Sequence, residues 1–222
     1  MTGSRHLTSR QLNLSGVADL AVGAGFVVRV RIGESEEATI WMDDNLTDLV
    51  DATVTGGRLS LGLKPDVKVR NATLVAEITV RNLDQLTAGG VSQVTLAPEL
   101  TGAALRLEAG GASHITGRLR VETVVAVASG TSTLALSGQV RHLTLDAKGT
   151  SELALSELAV RDLDAVLSGA SCAAVAVSDT LAAQTSGTSA LRYSGAPRIT
   201  REQTSGVSSI TPEASHGDRC GP

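Results

Sequence analysis

One short motif recurs seven times in the second half of this 222-residue sequence: a glycine, any residue, a serine, any residue, and then an aliphatic residue. The glycines are Gly90, Gly111, Gly130, Gly149, Gly169, Gly187 and Gly206, at successive spacings of 21, 19, 19, 20, 18 and 19 residues. A unit of this length cannot bury its own apolar side, so it must stack on copies of itself. The repeat therefore predicts a solenoid in which each motif marks one coil.

The register within the motif has the two-residue period of a β-strand, in which alternate side chains face the same way. Two residues after each glycine comes a serine, namely Ser92, Ser113, Ser132, Ser151, Ser171, Ser189 and Ser208. Four residues after each glycine comes a core position, namely Val94, Ile115, Leu134, Leu153, Ala173, Leu191 and Ile210. We expect both sets to face inward. The glycines would form bends that need positive φ, and the serines a ladder of hydroxyls that bond to one another or to carbonyls of the bends.

Further apolar positions in each repeat predict two or three short strands per coil, with no helical pattern between them. The predicted fold is all-β: a parallel β-helix, or solenoid, with coils of about 18–21 residues. Successive coils would pair at about 4.8 Å. Only 1% of the residues are aromatic, which suits a narrow interior, since stacked rings would overfill it.

The sequence divides into four parts. Residues 1–12 are expected to form a tail, and residues 13–85 a β region that caps the solenoid or continues it as irregular coils. Residues 86–210 are the repeat solenoid, and residues 211–222 a C-terminal tail. In the N-terminal region, strand-like alternation covers residues 25–33, 37–43, 50–56, 57–63 and 73–80.

From about residue 13 to residue 210, the sequence resembles the bacterial GIN-domain family, described as "putative auto-transporter adhesin" heads and a domain of unknown function. The resemblance lies in residues 17–20, 23–30, 44–46 and 57–61, followed by the glycine repeats. Family members repeat Gly-Ser-Gly-Asp, whereas here serine replaces the second glycine in all seven copies. The aspartate column is replaced by Gln93, His114, Thr133, Glu152, Cys172, Ala190 and Ser209. The resemblance implies a right-handed β-helix-like fold on exported or lipid-anchored proteins, and no established activity.

Two acidic pairs are the candidates for catalysis on a polysaccharide, because such enzymes use paired carboxylates or carboxylates that bind calcium. Asp43 and Asp44 belong to an expected turn, while Asp162 and Asp164 flank Leu163 on an outward face. We expect both pairs to be solvated surface. The repeated serines lack the second glycine of a nucleophile elbow.

The histidines and cysteines show no pattern of a metal or redox site. His114 and His142 lie at different offsets in their repeats, so they predict no shared metal face. We expect free thiols at Cys172 and Cys220, with a bond between them only if the C-terminal tail folds back. No catalytic residue, metal site or cofactor is therefore predicted.

The predicted function is a non-enzymatic adhesion, scaffold or protein-interaction module whose partner is an unknown protein or surface glycan; the alternative is a polysaccharide-active lyase or hydrolase. A net charge of −4 argues against nucleic acid. No apolar run reaches the roughly 18–20 residues of a membrane helix, so no membrane span is expected. The start of the sequence lacks an export signal, which favours the cytoplasm, whereas the family resemblance implies export or the cell surface.

Overall fold

The computed structural model describes residues 1–213, and these form one sixteen-stranded sheet wound into a solenoid. The strands are β1 (Leu7–Asn13), β2 (Asp19–Val22), β3 (Val27–Ile32), β4 (Glu37–Asp43), β5 (Val50–Thr55), β6 (Arg58–Leu63), β7 (Leu74–Val80), β8 (Gln85–Ala88), β9 (Gln93–Ala109), β10 (His114–Ala128), β11 (Thr133–Ala147), β12 (Glu152–Leu167), β13 (Cys172–Thr185), β14 (Ala190–Ser194), β15 (Arg198–Thr204) and β16 (Ser209–Pro212). A short 3₁₀ turn covers Asp44–Leu46. The predicted all-β solenoid is confirmed.

The long strands β9 to β13 pair in parallel, each with the next, so that one repeat lies directly over another. Ile115, for example, pairs with Val94 below it and Leu134 above it. The sequence predicted two or three short strands per coil. In the structure the strands β9 to β13 instead continue around the corner of their coils, as in β10 with 15 residues. Register shifts, such as that between Gly117 and Leu119, mark some of these bends. The next coil is divided into two short strands, β14 and β15.

The N-terminal region adds two coils whose order in space differs from their order in the chain. β2 pairs in parallel with β6 on one side and with β8 on the other. β3 pairs in the same way with β7 and β9. The coil built from β6 and β7 therefore lies beneath the coil built from β2 and β3, although it follows it in sequence.

Antiparallel strands close the N-terminal end of the stack. β4 pairs with β7, β1 with β4, and β5 with β6, all antiparallel. Residues 1–12, expected above to be a tail, thus contain most of β1. This strand carries few apolar residues because it is an edge strand, held by backbone pairing to β4 instead of by burial.

One continuous apolar core runs through both regions. In the repeat, the side chains four residues after the glycines are buried from Val94 to Leu191, and Ile210 in the last coil is partly buried. The serines from Ser92 to Ser189 in the motif are at most 2% exposed. Ser208 is partly exposed, since no described strand pairs with the outer edge of β16.

The buried serine hydroxyls donate to backbone carbonyls near the bends. Ser113 donates to the carbonyl of Ala88 at 3.0 Å, and Ser132 donates to that of Ala109 at 3.1 Å. In both cases the acceptor belongs to the coil below, at the end of its strand. Each such bond satisfies an otherwise buried polar group and fastens one coil to the next. We propose this role also for Ser92, Ser171 and Ser189, which donate to carbonyls of the coil below. Ser151 and Ser208 instead donate to carbonyls of their own bends, those of Lys148 and Ser205.

The motif glycines from Gly111 onward lie in close contact with the bend of the coil below. Gly130 has a φ of +74°, and a Cβ atom built there would lie 2.5 Å from the carbonyl oxygen of Gly111. That oxygen accepts a hydrogen bond of 2.7 Å from the amide of Thr131. Glycine is required here for two reasons, the left-handed backbone and the missing side chain. We propose the same structural role for the other bend glycines.

Replacement of Gly130 by alanine is expected to destabilise the protein by about 2–5 kcal/mol, because strain at positive φ adds to a steric collision with the neighbouring bend. Gly102→Ala is the matched control. Gly102 is exposed, and a Cβ there would meet no atom within 4 Å. Urea unfolding followed by circular dichroism measures both variants. Equal stability of the two would contradict the proposed role of the bend glycines.

The expectation that Asp43 is solvated surface is wrong, since its side chain is fully buried. Its carboxylate accepts hydrogen bonds from the backbone amides of Arg5 at 2.8 Å and Thr73 at 2.7 Å. The carboxylate therefore joins the segment before β1 to the segment before β7. Asp44, the next residue, is exposed and accepts a hydrogen bond from the hydroxyl of Ser4 at 2.5 Å.

We expect Asp43→Ala to lower the free energy of unfolding by about 2–4 kcal/mol, because it leaves two partly buried amides without their acceptor. Asp44→Ala should cost less than about 1 kcal/mol, since water can replace an exposed acceptor. Thermal melts of the two variants side by side test this difference. If Asp44→Ala lowered the stability more than Asp43→Ala, the proposed role of Asp43 in joining the segments before β1 and β7 would be refuted.

The C-terminal tail expected at residues 211–222 is strand at its start, because β16 ends at Pro212. Residues 214–222 lie outside the described part of the chain. Within residues 1–213 we find no helix with the length and apolar character needed to cross a membrane.

Candidate binding groove

A groove of about 830 Å³ runs across successive coils, parallel to the solenoid axis. The corner of each coil contributes one residue to its floor. These residues form a column in register from coil to coil: Gly102, Val121, Val140, Val160 and Val177, with Gly195 over Val177. Five steps between coils give the groove a length on the order of 24 Å.

The floor is apolar and closely packed. The four valines of the column are between 2% and 4% exposed, so they belong to the core and only their outer surfaces reach the groove. Gly102 and Gly195, at the two ends of the floor, carry no side chain. The floor therefore offers a continuous strip of aliphatic carbon.

The walls consist of the residues on either side of the valines. The residues before the floor column are Arg120, Gln139, Ala159, Ala176 and Ser194, which pair in register from coil to coil. The residues after it are Glu122, Arg141, Arg161 and Ser178. Glu213 completes the lining, one coil beyond Ser194. The walls therefore carry charge mainly at the Gly102 end of the groove.

Ion pairs hold most of the charged wall residues. Arg120 shares Glu99 with Arg118, at 3.3 and 3.1 Å. The hydrogen bond from Arg118 lowers the pKa of Glu99 below its usual value, and Arg120 adds to this effect. Arg141 has a looser partner, Glu122, at 3.9 Å.

Arg161 is the most firmly held of the wall arginines. Its guanidinium donates two hydrogen bonds to Asp179, at 3.0 and 2.9 Å. This hydrogen bonding raises the pKa of Arg161 above its ordinary value, and the negative charges of Asp179 and Asp162 add to the effect. These side chains are about half exposed, so their contribution to stability is small.

The acidic pair weighed above as a catalytic candidate, Asp162 and Asp164, lies elsewhere. Asp162 accepts a hydrogen bond from Thr180 at 2.5 Å and lies 3.1 Å from the imidazole of His142. Asp164 pairs with Arg201 at 2.8 Å. Neither aspartate lines the groove. Within residues 1–213 no three acidic, histidine or cysteine side chains are grouped to hold a metal ion.

The expectation of a free thiol at Cys172 is also wrong, because Cys172 is disulfide-bonded. Single cysteines at positions 172 and 220 give no pairing signal in the sequence. Cys220 lies outside the described residues.

Sequence reasoning missed the groove. None of the motif glycines, serines or core residues named above lines it. A usable signal was present, because a valine followed by a polar residue recurs as Val121-Glu122, Val140-Arg141, Val160-Arg161 and Val177-Ser178. These pairs begin 10, 10, 11 and 8 residues after the motif glycine of their repeat. Only the structure shows that they form one column.

Comparison with known families places the chain. A family model described as "Putative auto-transporter adhesin, head GIN domain" matches residues 18–197. The chain belongs to this family. The GIN-domain resemblance inferred from the sequence is thereby confirmed. A comparison with curated proteins finds no match.

Solved structures share the fold of this GIN-domain protein. The chain is similar to a putative adhesin from Bacteroides fragilis, with 21% identity and a TM-score of 0.89 over 96% of this chain and 100% of the other. It is similar to a putative lipid binding protein from Parabacteroides distasonis, with 16% identity and a TM-score of 0.76 over 96% and 99%. A putative adhesin from the same species has 16% identity and a TM-score of 0.72 over 96% and 99%. At these identities the likeness shows the fold alone.

Proposed function

We propose that this GIN-domain protein is a non-enzymatic adhesive binding module and that the groove holds its ligand. The observation that carries the proposal is the groove itself, an aliphatic strip bordered by polar walls and repeated over successive coils. Ligand sites commonly combine an apolar lining with a few polar groups in this way. Membership of a family described as adhesin heads supports an adhesive role. The ligand classes we consider are a protein, a surface glycan and, after the lipid-binding structural neighbour, a lipid.

The alternative, a polysaccharide-active enzyme, has weaker support from the geometry. Glycosidases hold their two carboxyl groups about 5–10 Å apart across the scissile bond. The carboxylates that line the groove are Glu122 and Glu213. They lie five coils apart, a distance on the order of 24 Å. This separation favours binding over hydrolysis.

We further propose that the protein works outside the cytoplasm. Disulfide bonds form and persist in oxidising compartments and are rare where glutathione and thioredoxin keep thiols reduced. The disulfide at Cys172 supports an exported or cell-surface location.

The adhesive role is tested by binding of the purified protein to an array of bacterial and host surface glycans, membrane phospholipids, collagen, fibronectin and fibrinogen. We expect saturable binding to one or more of these probes, without release of new reducing ends. Ala159→Phe should weaken that binding because it fills the groove between Gln139 and Ala176. Ala104→Phe, an equally exposed strand alanine that does not line the groove, is the control.

Two results would count against the adhesive proposal. The first is no saturable binding to any of the probes. The second is turnover of a glycan by the wild type that Asp162→Asn abolishes, which would establish the enzymatic alternative.

The disulfide on which the proposed location rests is tested by alkylation of protein exported to a bacterial periplasm. We expect Cys172 to resist alkylation in denaturant and to react fully only after reduction, because its sulfur is already bonded. Peptide mass mapping with and without reductant gives the readout. Complete alkylation of Cys172 without reductant would contradict both the disulfide and the argument for export drawn from it.

A further inference from the structure

The walls of the groove differ between its two ends. At the Gly102 end, the lining around Val121 and Val140 carries Arg120 and Arg141 on opposite walls, one coil apart, together with Glu122 and Gln139. Arg141 has only a long ion pair, to a glutamate whose side chain is 67% exposed. A competing carboxylate can displace so weak a pair. Arg120 shares the single carboxylate of Glu99 with Arg118. Three arginines therefore face two glutamates at this end, which leaves it with an excess of positive charge.

The remainder of the groove is lined mostly by small, neutral side chains. Beyond Val140 the walls are Ala159, Ala176, Ser178 and Ser194, over a floor of Val160 and Val177. The charged exceptions are Arg161, which is bonded to Asp179, and Glu213 past the last coil. From Val121 to Gly195 the floor runs about 19 Å. The lining is thus an open, mostly apolar groove that leads away from a cationic end.

Two other ligand classes fit this groove less well. A glycan is commonly held on aromatic platforms, and the lining contains no aromatic side chain. An extended peptide is commonly held by the free amides and carbonyls of a strand edge. The backbone beneath the floor is already paired from coil to coil on both sides.

We propose that the groove binds a single long-chain fatty acid, with its carboxylate between Arg120 and Arg141 and its acyl chain along Val140, Val160 and Val177 toward Gly195. The apolar chain would cover the aliphatic floor, and the guanidinium groups would neutralise the head group. This inference rests on the proposed function, since it names the ligand class of the same groove.

Isothermal titration calorimetry with saturated fatty acids below their aggregation concentration tests the proposal. We expect palmitate to bind one per chain. Affinity should fall from palmitate to myristate to laurate, by at most about fourfold for each methylene removed, which is the value for a methylene that the groove buries completely. Cetyl alcohol, which has the same chain without the charge, should bind more weakly than palmitate.

Two matched pairs of variants locate the ligand. Arg120→Gln should weaken palmitate binding about three- to tenfold and leave cetyl alcohol unaffected. Arg118→Gln is its control, because Arg118 pairs with the same Glu99 but does not line the groove. Ala159→Phe should weaken both ligands about tenfold or more by blocking the groove. Ala104→Phe should weaken neither.

The inference is overturned if palmitate does not bind, if affinity is independent of chain length, or if Ala159→Phe and Ala104→Phe bind palmitate equally. Equal melting temperatures of Ala159→Phe and Ala104→Phe establish that both variants are folded. Array binding that depends on Ala159 without palmitate binding would refute the fatty acid alone and leave the adhesive module standing. Palmitate binding in the groove without any array binding would refute the adhesive role instead.

Discussion

The structure depends on the close approach of successive bends. At each motif glycine from Gly111 onward, the backbone lies so near the bend below that a side chain would collide with it. Backbone hydrogen bonds such as that from Thr131 to Gly111 join the same bends. We propose that these contacts align each coil from Gly111 onward with the coil below it. The strand ladders, the serine hydroxyls over carbonyls and the valine column of the groove all inherit that alignment.

The two ends of the stack are treated differently. At the N-terminal end, antiparallel strands cover the first coils, and the buried carboxylate of Asp43 ties two of their connecting segments together. At the other end, β15 is exposed along its whole length. Covering one end of the core protects sheet edges that would otherwise pair with other chains. The cap thus does for the first coil what each repeat does for its neighbour: it covers the core and pairs the open sheet edge.

The repeat could be predicted from the sequence because its period is visible in single residues, as in Gly130 and Ser132. The order of the N-terminal coils could not, because pairing of β6 beneath β2 depends on contacts distant in sequence. The burial of Asp43 could not be predicted either. In the sequence, an aspartate that accepts hydrogen bonds from distant backbone amides cannot be distinguished from one on the surface. The groove was hidden for another reason. Bulges at the corners vary the spacing of its valines, so the motif does not show that they align.

The stepwise construction of the groove has a consequence for how such proteins diversify. Each coil supplies one floor residue and two wall residues, as Val140 does with Gln139 and Arg141. Duplication or deletion of a single coil would lengthen or shorten the groove by one increment and leave its cross-section unchanged. The number of coils would then determine the length of ligand that the groove accepts. The wall residues could be substituted in one coil without changing the others. The length of the site and its chemistry can therefore change independently of each other during evolution.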